Sequence, residues 1–137
     1  FFDVEMRPDS GELDEFEDVG TLVQHFQIGQ AIGDRIIATA NSDTHPLKGV
    51  FHAAGGLDDS VIQQMTLDQF RKITAPKVLG GWTLHEATKD LDLDLFVVFS
   101  SILGLMGSAG QANYAAANTY LDALVDHRRA QGLPATS

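Results

Sequence analysis

The chain has 137 residues, 44% of them hydrophobic, which is enough for one modest domain or a piece of a larger one. It holds no cysteine, which excludes a disulfide framework, thiolate catalysis and cysteine-ligated zinc and fits a reducing, cytoplasmic setting. The net charge of −10 argues against nucleic acid. The apolar runs fall well short of the roughly 18 to 20 residues a membrane span needs, and no basic, apolar leader opens the chain, so a soluble, unprocessed polypeptide is expected.

Residues 1–20 carry eight acids (Asp3, Glu5, Asp9, Glu12, Asp14, Glu15, Glu17 and Asp18) against Arg7 alone, so −7 of the −10 sits there. Such a run reads as a solvated loop or tail, with an interaction surface for a basic partner as the alternative. The chain therefore divides into an acidic, loop-rich segment, 1–33, and a domain, 34–137. A short helix is expected over 22–32, and Arg35-Ile36-Ile37-Ala38-Thr39-Ala40 reads as a strand closed by Asn41-Ser42-Asp43. A second strand, Gly49-Val50-Phe51-His52-Ala53-Ala54, ends at Gly55-Gly56. Thr66 and Gln69 have the spacing of a capping box, and the helical pattern they open breaks near Ala75-Pro76 and resumes to about Lys89. Leu95-Phe96-Val97-Val98-Phe99 is apolar on both faces, as a strand buried in a parallel sheet is. A long helix follows over 111–131, with Gly132 and Pro134 as stop signals, and Pro134-Ala135-Thr136-Ser137 approaches another strand.

This alternation describes an α/β fold with a parallel sheet and right-handed crossovers. Such sheets bind ligands beyond the carboxyl ends of their strands, which here are His52-Ala53-Ala54-Gly55 and Ser100-Ser101. On the last helix Tyr114, Ala117, Asn118, Leu121, Leu124 and Val125 follow helical spacing, so the stripe meant for the core begins with a phenol and an amide. Tyr114 and Asn118 lie one turn apart, about 6 Å along the axis. Taken singly they are an ordinary buried tyrosine and an ordinary polar helix residue.

Together these residues resemble the ketoreductase domain of modular polyketide synthases, a member of the short-chain dehydrogenase/reductase superfamily. The likeness is carried by Gly49-Val50-Phe51-His52-Ala53-Ala54-Gly55, Leu57-Asp58-Asp59, Ala75-Pro76-Lys77-Val78, Phe99-Ser100-Ser101 and Gly110-Gln111-Ala112-Asn113-Tyr114-Ala115-Ala116-Ala117-Asn118. The resemblance implies a Rossmann-like parallel sheet with flanking helices and NADPH-dependent reduction of a β-keto group on an acyl chain tethered to an acyl-carrier protein, beside other synthase domains. By the same resemblance Tyr114 gives the proton, Ser101 hydrogen-bonds the ketone oxygen, Lys77 supplies the cation and Asn118 stands where most of the superfamily has that lysine. A phenol with a pKa of about 10 needs such a cation to transfer its proton near neutrality. Ala53, Ala54, Gly55, Lys77 and Tyr114 are implied to line the cofactor. Leu57-Asp58-Asp59, with Met106 where the opposing class has tryptophan, implies B-type ketone entry and a D-configured alcohol.

Other constellations carry less. Asp92-Leu93-Asp94 reads as a solvated turn rather than a metal pair, with no histidine at ligand spacing, and no metal is expected. His52 reads as a hydrogen-bonded core histidine. Residues 29–33, Gly-Gln-Ala-Ile-Gly, match neither a dinucleotide fingerprint nor a P-loop. The family pattern also calls for a strand, glycine-rich turn and helix that cradle the pyrophosphate, and residues 1–47 show neither this nor the helix due before Pro46. The expectation is therefore a catalytic half-domain, lacking the first βαβ cofactor half and the final strands, its N-terminal part a splice, a shifted frame or a foreign segment, with little or no activity alone. A non-catalytic structural or partner-binding remnant of a synthase is the alternative.

Overall fold

The computed structural model describes residues 19–137, with side chains from residue 29 onward, so the acidic run lies outside the described residues. In chain order the elements are α1 (Val19–Ala40), β1 (Gly49–His52), α2 (Leu67–Thr88), β2 (Leu95–Val98), a one-turn α3 (Leu103–Met106) and α4 (Ala112–Ala130).

The two strands pair in parallel, Gly49 opposite Leu95 through His52 opposite Val98. The strand period of two turns Val50, His52, Phe96 and Val98 inward and leaves Phe51 and Leu95 exposed. Beyond β2 the expected further strand begins: Val98 N donates to Thr136 O at 2.9 Å and Thr136 N to Phe96 O at 2.9 Å, again in parallel. The covered face of the sheet meets α4, whose Leu121 and Val125 pack with Val50, Leu93, Phe96 and Val98 in one core cluster. Helix α4 stops where Gly132, at φ +76°, takes the left-handed conformation and its neighbours turn back onto the carbonyls of Arg128 and Arg129.

Helix α2 starts on the capping box read from the sequence: Thr66 Oγ1 accepts from Gln69 N at 3.2 Å and Gln69 Oε1 accepts from Thr66 N at 3.0 Å. The helix does not break at Ala75-Pro76 as expected; it runs unbroken through Pro76. The missing N–H deprives only the carbonyl of exposed Lys72, and α2 is held along its length by contact with α1 and α4. At Gly81 a Cβ would sit 3.1 Å from Leu121 and 3.2 Å from Leu124, so glycine is what lets α2 and α4 approach this closely.

The strand expected at 35–40 is also corrected. Those residues are the last turns of α1, which runs without interruption across position 33 and supplies the helix that seemed missing before Pro46. Ile36, Ile37 and Thr39 favour strands by propensity, but position 29 and the buried positions 33 and 37 repeat every four residues and form one helix face against α2. A Cβ on Gly33 would stand 2.2 Å from the Thr83 methyl. The Gly-Gln-Ala-Ile-Gly stretch is thus a helix contact rather than a phosphate loop.

Gly33→Ala should therefore lower stability by about 1 to 3 kcal/mol through overpacking. In a Thr83→Ser background, which removes the obstructing methyl, the same change should be neutral or stabilising by up to about 1 kcal/mol, the helix-propensity gain of alanine. Urea unfolding of the four proteins in this cycle measures both.

Candidate functional site

Past the His52–Val98 pair, Phe99 N donates to His52 O at 2.9 Å. This aims the Phe99 carbonyl at α2, where Lys77 Nζ donates to it at 2.7 Å. Lys77 is only 4% exposed, and burial pulls its amine below the ordinary lysine value. Gly55 lies against the same side chain: a Cβ there would be 3.0 Å from Lys77 Cε and 3.5 Å from Nζ. Glycine at position 55, just past β1, thus leaves the end of the Lys77 side chain room beside the strand ends.

A cavity of about 280 Å³ opens at this point, lined by Ala53, Gly55, Gly56, Leu57, Lys77, Phe99, Ser100 and Tyr114. The structure thus brings Lys77 and Tyr114, separated by most of α2, β2 and α3 in the chain, to one concave surface with Ala53, Gly55 and Leu57. Ser101 lines an adjoining cavity of about 600 Å³ with Phe99, Ser100, Ile102 and Leu105, and its Oγ accepts from Leu103 N at 3.2 Å. Asn118 is fully buried one turn after Tyr114: its Nδ2 donates to Tyr114 O at 2.8 Å, and its Oδ1 has no partner. Ser100 Oγ donates to Asn118 O at 3.2 Å, which ties the end of β2 to the same turn of α4.

Asp58 and Asp59 are not free acids. Asp58 accepts from Gln69 Nε2 at 3.0 Å and from Lys72 Nζ at 2.9 Å, and the Lys72 hydrogen bond is the main force holding its carboxyl below the usual range. Asp59 accepts from Gln111 Nε2 at 3.0 Å. Met106 stands 76% exposed on α3 and lines neither cavity. Ala54 is half-buried beside Ala53. Asn113, absent from the sequence-derived set, is fully buried, with hydrogen bonds to Asp58 O, Gln69 O and Tyr114 N. A sequence signal for it exists in hindsight: an amide directly before the tyrosine, inside the first turn of a helix whose N-cap position is glutamine.

Asp92 accepts from Lys48 Nζ at 2.6 Å, and the described residues hold no group of His, Cys, Asp or Glu that could bind a metal. His52 is buried against Gly80 and Gly81, with Nε2 unpaired. Burial lowers its imidazole below the ordinary value, the Lys77 charge pushes the same way, and a hydrogen bond to the Pro76 backbone opposes both. His85 is also buried and lowered, first by burial and then by Arg128, whose guanidinium stacks 3.8 Å over the Phe96 ring.

Residues 5–137 match the family profile described as the KR domain. Mycoketide-CoA synthase of Mycobacterium tuberculosis is 59% identical over 93 residues, 68% of this chain and 2% of that protein. Polyketide synthase GfsE of Streptomyces halstedii is 46% identical over 129 residues, 93% of this chain and 3% of that protein. Among solved structures, A-type ketoreductases from a modular polyketide synthase superpose with a TM-score of 0.74 at 45% identity, over 79% of this chain and 23% of theirs. The chain thus spans a few per cent of the length of these curated relatives.

Two buried imidazoles with lowered values make the fold acid-sensitive. The folded state resists their protonation, so this stability is whole above about pH 6.5, the unperturbed histidine value, and is lost as pH falls below it. The urea midpoint should drop between pH 7.5 and pH 5, and His52→Gln should reduce that drop; an undiminished drop in His52→Gln would remove His52 from this role.

Proposed function

The chain belongs to the KR domain family, the ketoreductase domains of polyketide synthases, and from that membership we propose that it serves the NADPH-dependent reduction of a β-ketoacyl thioester on an acyl-carrier protein to the β-hydroxyacyl form. The observation that carries this reading is the buried Lys77 ammonium, fixed on Phe99 O in the cavity that Tyr114 also lines. The fit to a nicotinamide cofactor rests on one feature of the residues present: Gly55 keeps a surface without side chain beside Lys77 on the cavity that Tyr114 also lines. Ala53, Gly55, Lys77 and Tyr114 would hold the cofactor, with Ala54 next to them. NADPH, when bound, supplies hydride to the ketone carbon.

The chain's own part is to manage the oxygen. As negative charge gathers there, the Tyr114 hydroxyl donates its proton and the Ser101 hydroxyl donates a hydrogen bond. The buried Lys77 ammonium favours the phenolate left behind. The Asn118 side chain fastens to the Tyr114 carbonyl and keeps one turn of α4 in place beneath the phenol. Leu57 lines the cavity while its aspartate neighbours are engaged by α2 and α4, so the 57–59 loop shapes one entrance. That loop, with Met106 in place of tryptophan, supports B-type entry.

The setting would be the cytoplasm, beside other synthase domains; among the described residues no helix is long and apolar enough to cross a membrane. The 137 residues alone should turn over weakly, because the described residues include no strand, glycine-rich turn and helix to cradle a pyrophosphate, and each charge-assisted hydrogen bond of such a cradle is worth roughly 1.5 to 3 kcal/mol.

In the full protein carrying this chain, NADPH absorbance should fall on addition of a β-ketoacyl thioester. Tyr114→Phe should cut kcat by about 100- to 10,000-fold, the usual weight of a general acid. Turnover undiminished in Tyr114→Phe would overturn the assignment.

A further inference from the structure

Helix α4 begins without a side-chain cap. Its N-cap residue, Gln111, makes no capping hydrogen bond, and its Nε2 instead donates to both carboxylate oxygens of Asp59, at 3.2 and 3.0 Å. The helical ladder first takes hold one residue beyond Tyr114, where Ala115 N donates to Gln111 O at 2.8 Å. Tyr114 therefore lies in the first turn, where no intrahelical bond holds the backbone N–H. The residue whose phenol has to be most accurately placed sits where the helix does least to place it.

Asn113 fills that gap. Its Oδ1 accepts from Tyr114 N at 2.8 Å, while its Nδ2 donates to Asp58 O at 3.0 Å and to Gln69 O at 3.3 Å. The carboxamide is fully buried, and its orientation is dictated by its partners: two carbonyls face the amino group and one N–H faces the oxygen. Aspartate would keep the acceptor and lose both donors; serine has a single donor. The same loop is fastened to the segment that leads into α4 by Ser60 N donating to Gly110 O at 2.8 Å.

We propose that Asn113 is a positioning residue, which locks Tyr114 to the 57–59 loop and to α2 and so fixes the phenol relative to the side on which substrate enters. Asp58 and Asp59 act within this clasp. Their carboxylates hold Gln69, Lys72 and Gln111, so the loop steers substrate by where it holds Leu57 and Tyr114 rather than by acids that touch it. The proposal rests on the reading of Tyr114 as proton donor.

The test uses the full protein carrying this chain. Asn113→Ala and Asn113→Asp should each lower kcat by about ten- to a hundredfold, the cost of misplacing a catalytic group by about an ångström, with KM for the β-ketoacyl thioester within about twofold. Both should raise the share of the minor alcohol configuration, a readout that a loss of folded protein alone would not move. A folded Asn113→Ala with wild-type kcat and wild-type product configuration overturns the proposal. Hydrogen exchange on the wild-type protein decides it even if neither variant folds: the Tyr114 amide should exchange at least about tenfold more slowly than that of Ala112, and equal rates overturn the clasp. Absence of wild-type turnover would refute the ketoreductase reading, and the exchange measurement would still decide whether Asn113 holds Tyr114.

Discussion

A lysine ammonium buried where two parallel strands end constrains most of the described structure. Desolvation makes the charged amine costly, and the Phe99 carbonyl is the acceptor that offsets part of that cost. For the amine to reach that carbonyl, α2 has to lie close over the strand ends and β1 and β2 have to keep the register that presents Phe99, while Gly55 leaves room for the end of the lysine side chain. Gly81 of α2 serves a similar close approach on the α4 side, where a Cβ would press on Leu121 and Leu124. An apolar side chain at position 77 would remove the desolvation cost, so the lysine is a feature that stability alone does not favour.

The opposite end of the same layer is held by another buried cation. Arg128 on α4 is fully buried, stacks on Phe96, donates from Nε to Pro134 O at 3.2 Å and shares a 3.1 Å contact with His85 Nδ1. This joins the end of α4 to α2 and to the segment that leads into the Thr136 pairing. One end of the sheet thus carries polar groups around a cavity, and the other carries polar groups that tie elements together. The apolar cluster of Val50, Leu93, Phe96, Val98, Leu121 and Val125 lies between them.

Much of this was legible in the residues. Alternation and apolar runs located β1, β2 and α4, the Thr66 and Gln69 spacing located the start of α2, and Pro134-Ala135-Thr136-Ser137 announced the strand pairing at Thr136. The failures share a cause: each is a place where tertiary contact outweighs local preference. Ile36, Ile37 and Thr39 favour a strand, yet Gly33 and Ile37 are buried on one helix face, with Gly33 against Thr83 of α2. Pro76 signals a break, yet neighbours on both sides of α2 sustain the helix. Lys77 entered the site by resemblance, since no spacing rule joins it to Tyr114; the fold joins them by bringing the middle of α2 and the start of α4 to one cavity. Asn113 escaped notice because spacing arguments follow the face of Tyr114 at intervals of four, whereas the residue that fastens Tyr114 is its immediate neighbour.

The chemistry open to this cavity depends on the state of the Lys77 amine. Nitrogen-detected NMR of the lysine side chains, titrated with and without NADPH in the full protein, measures it directly. Lys77 should titrate below exposed Lys48 and half-buried Lys89, whose acid partners raise them, and its resonance should shift when NADPH is added. A Lys77 amine that titrates with those two and ignores the cofactor would contradict the account.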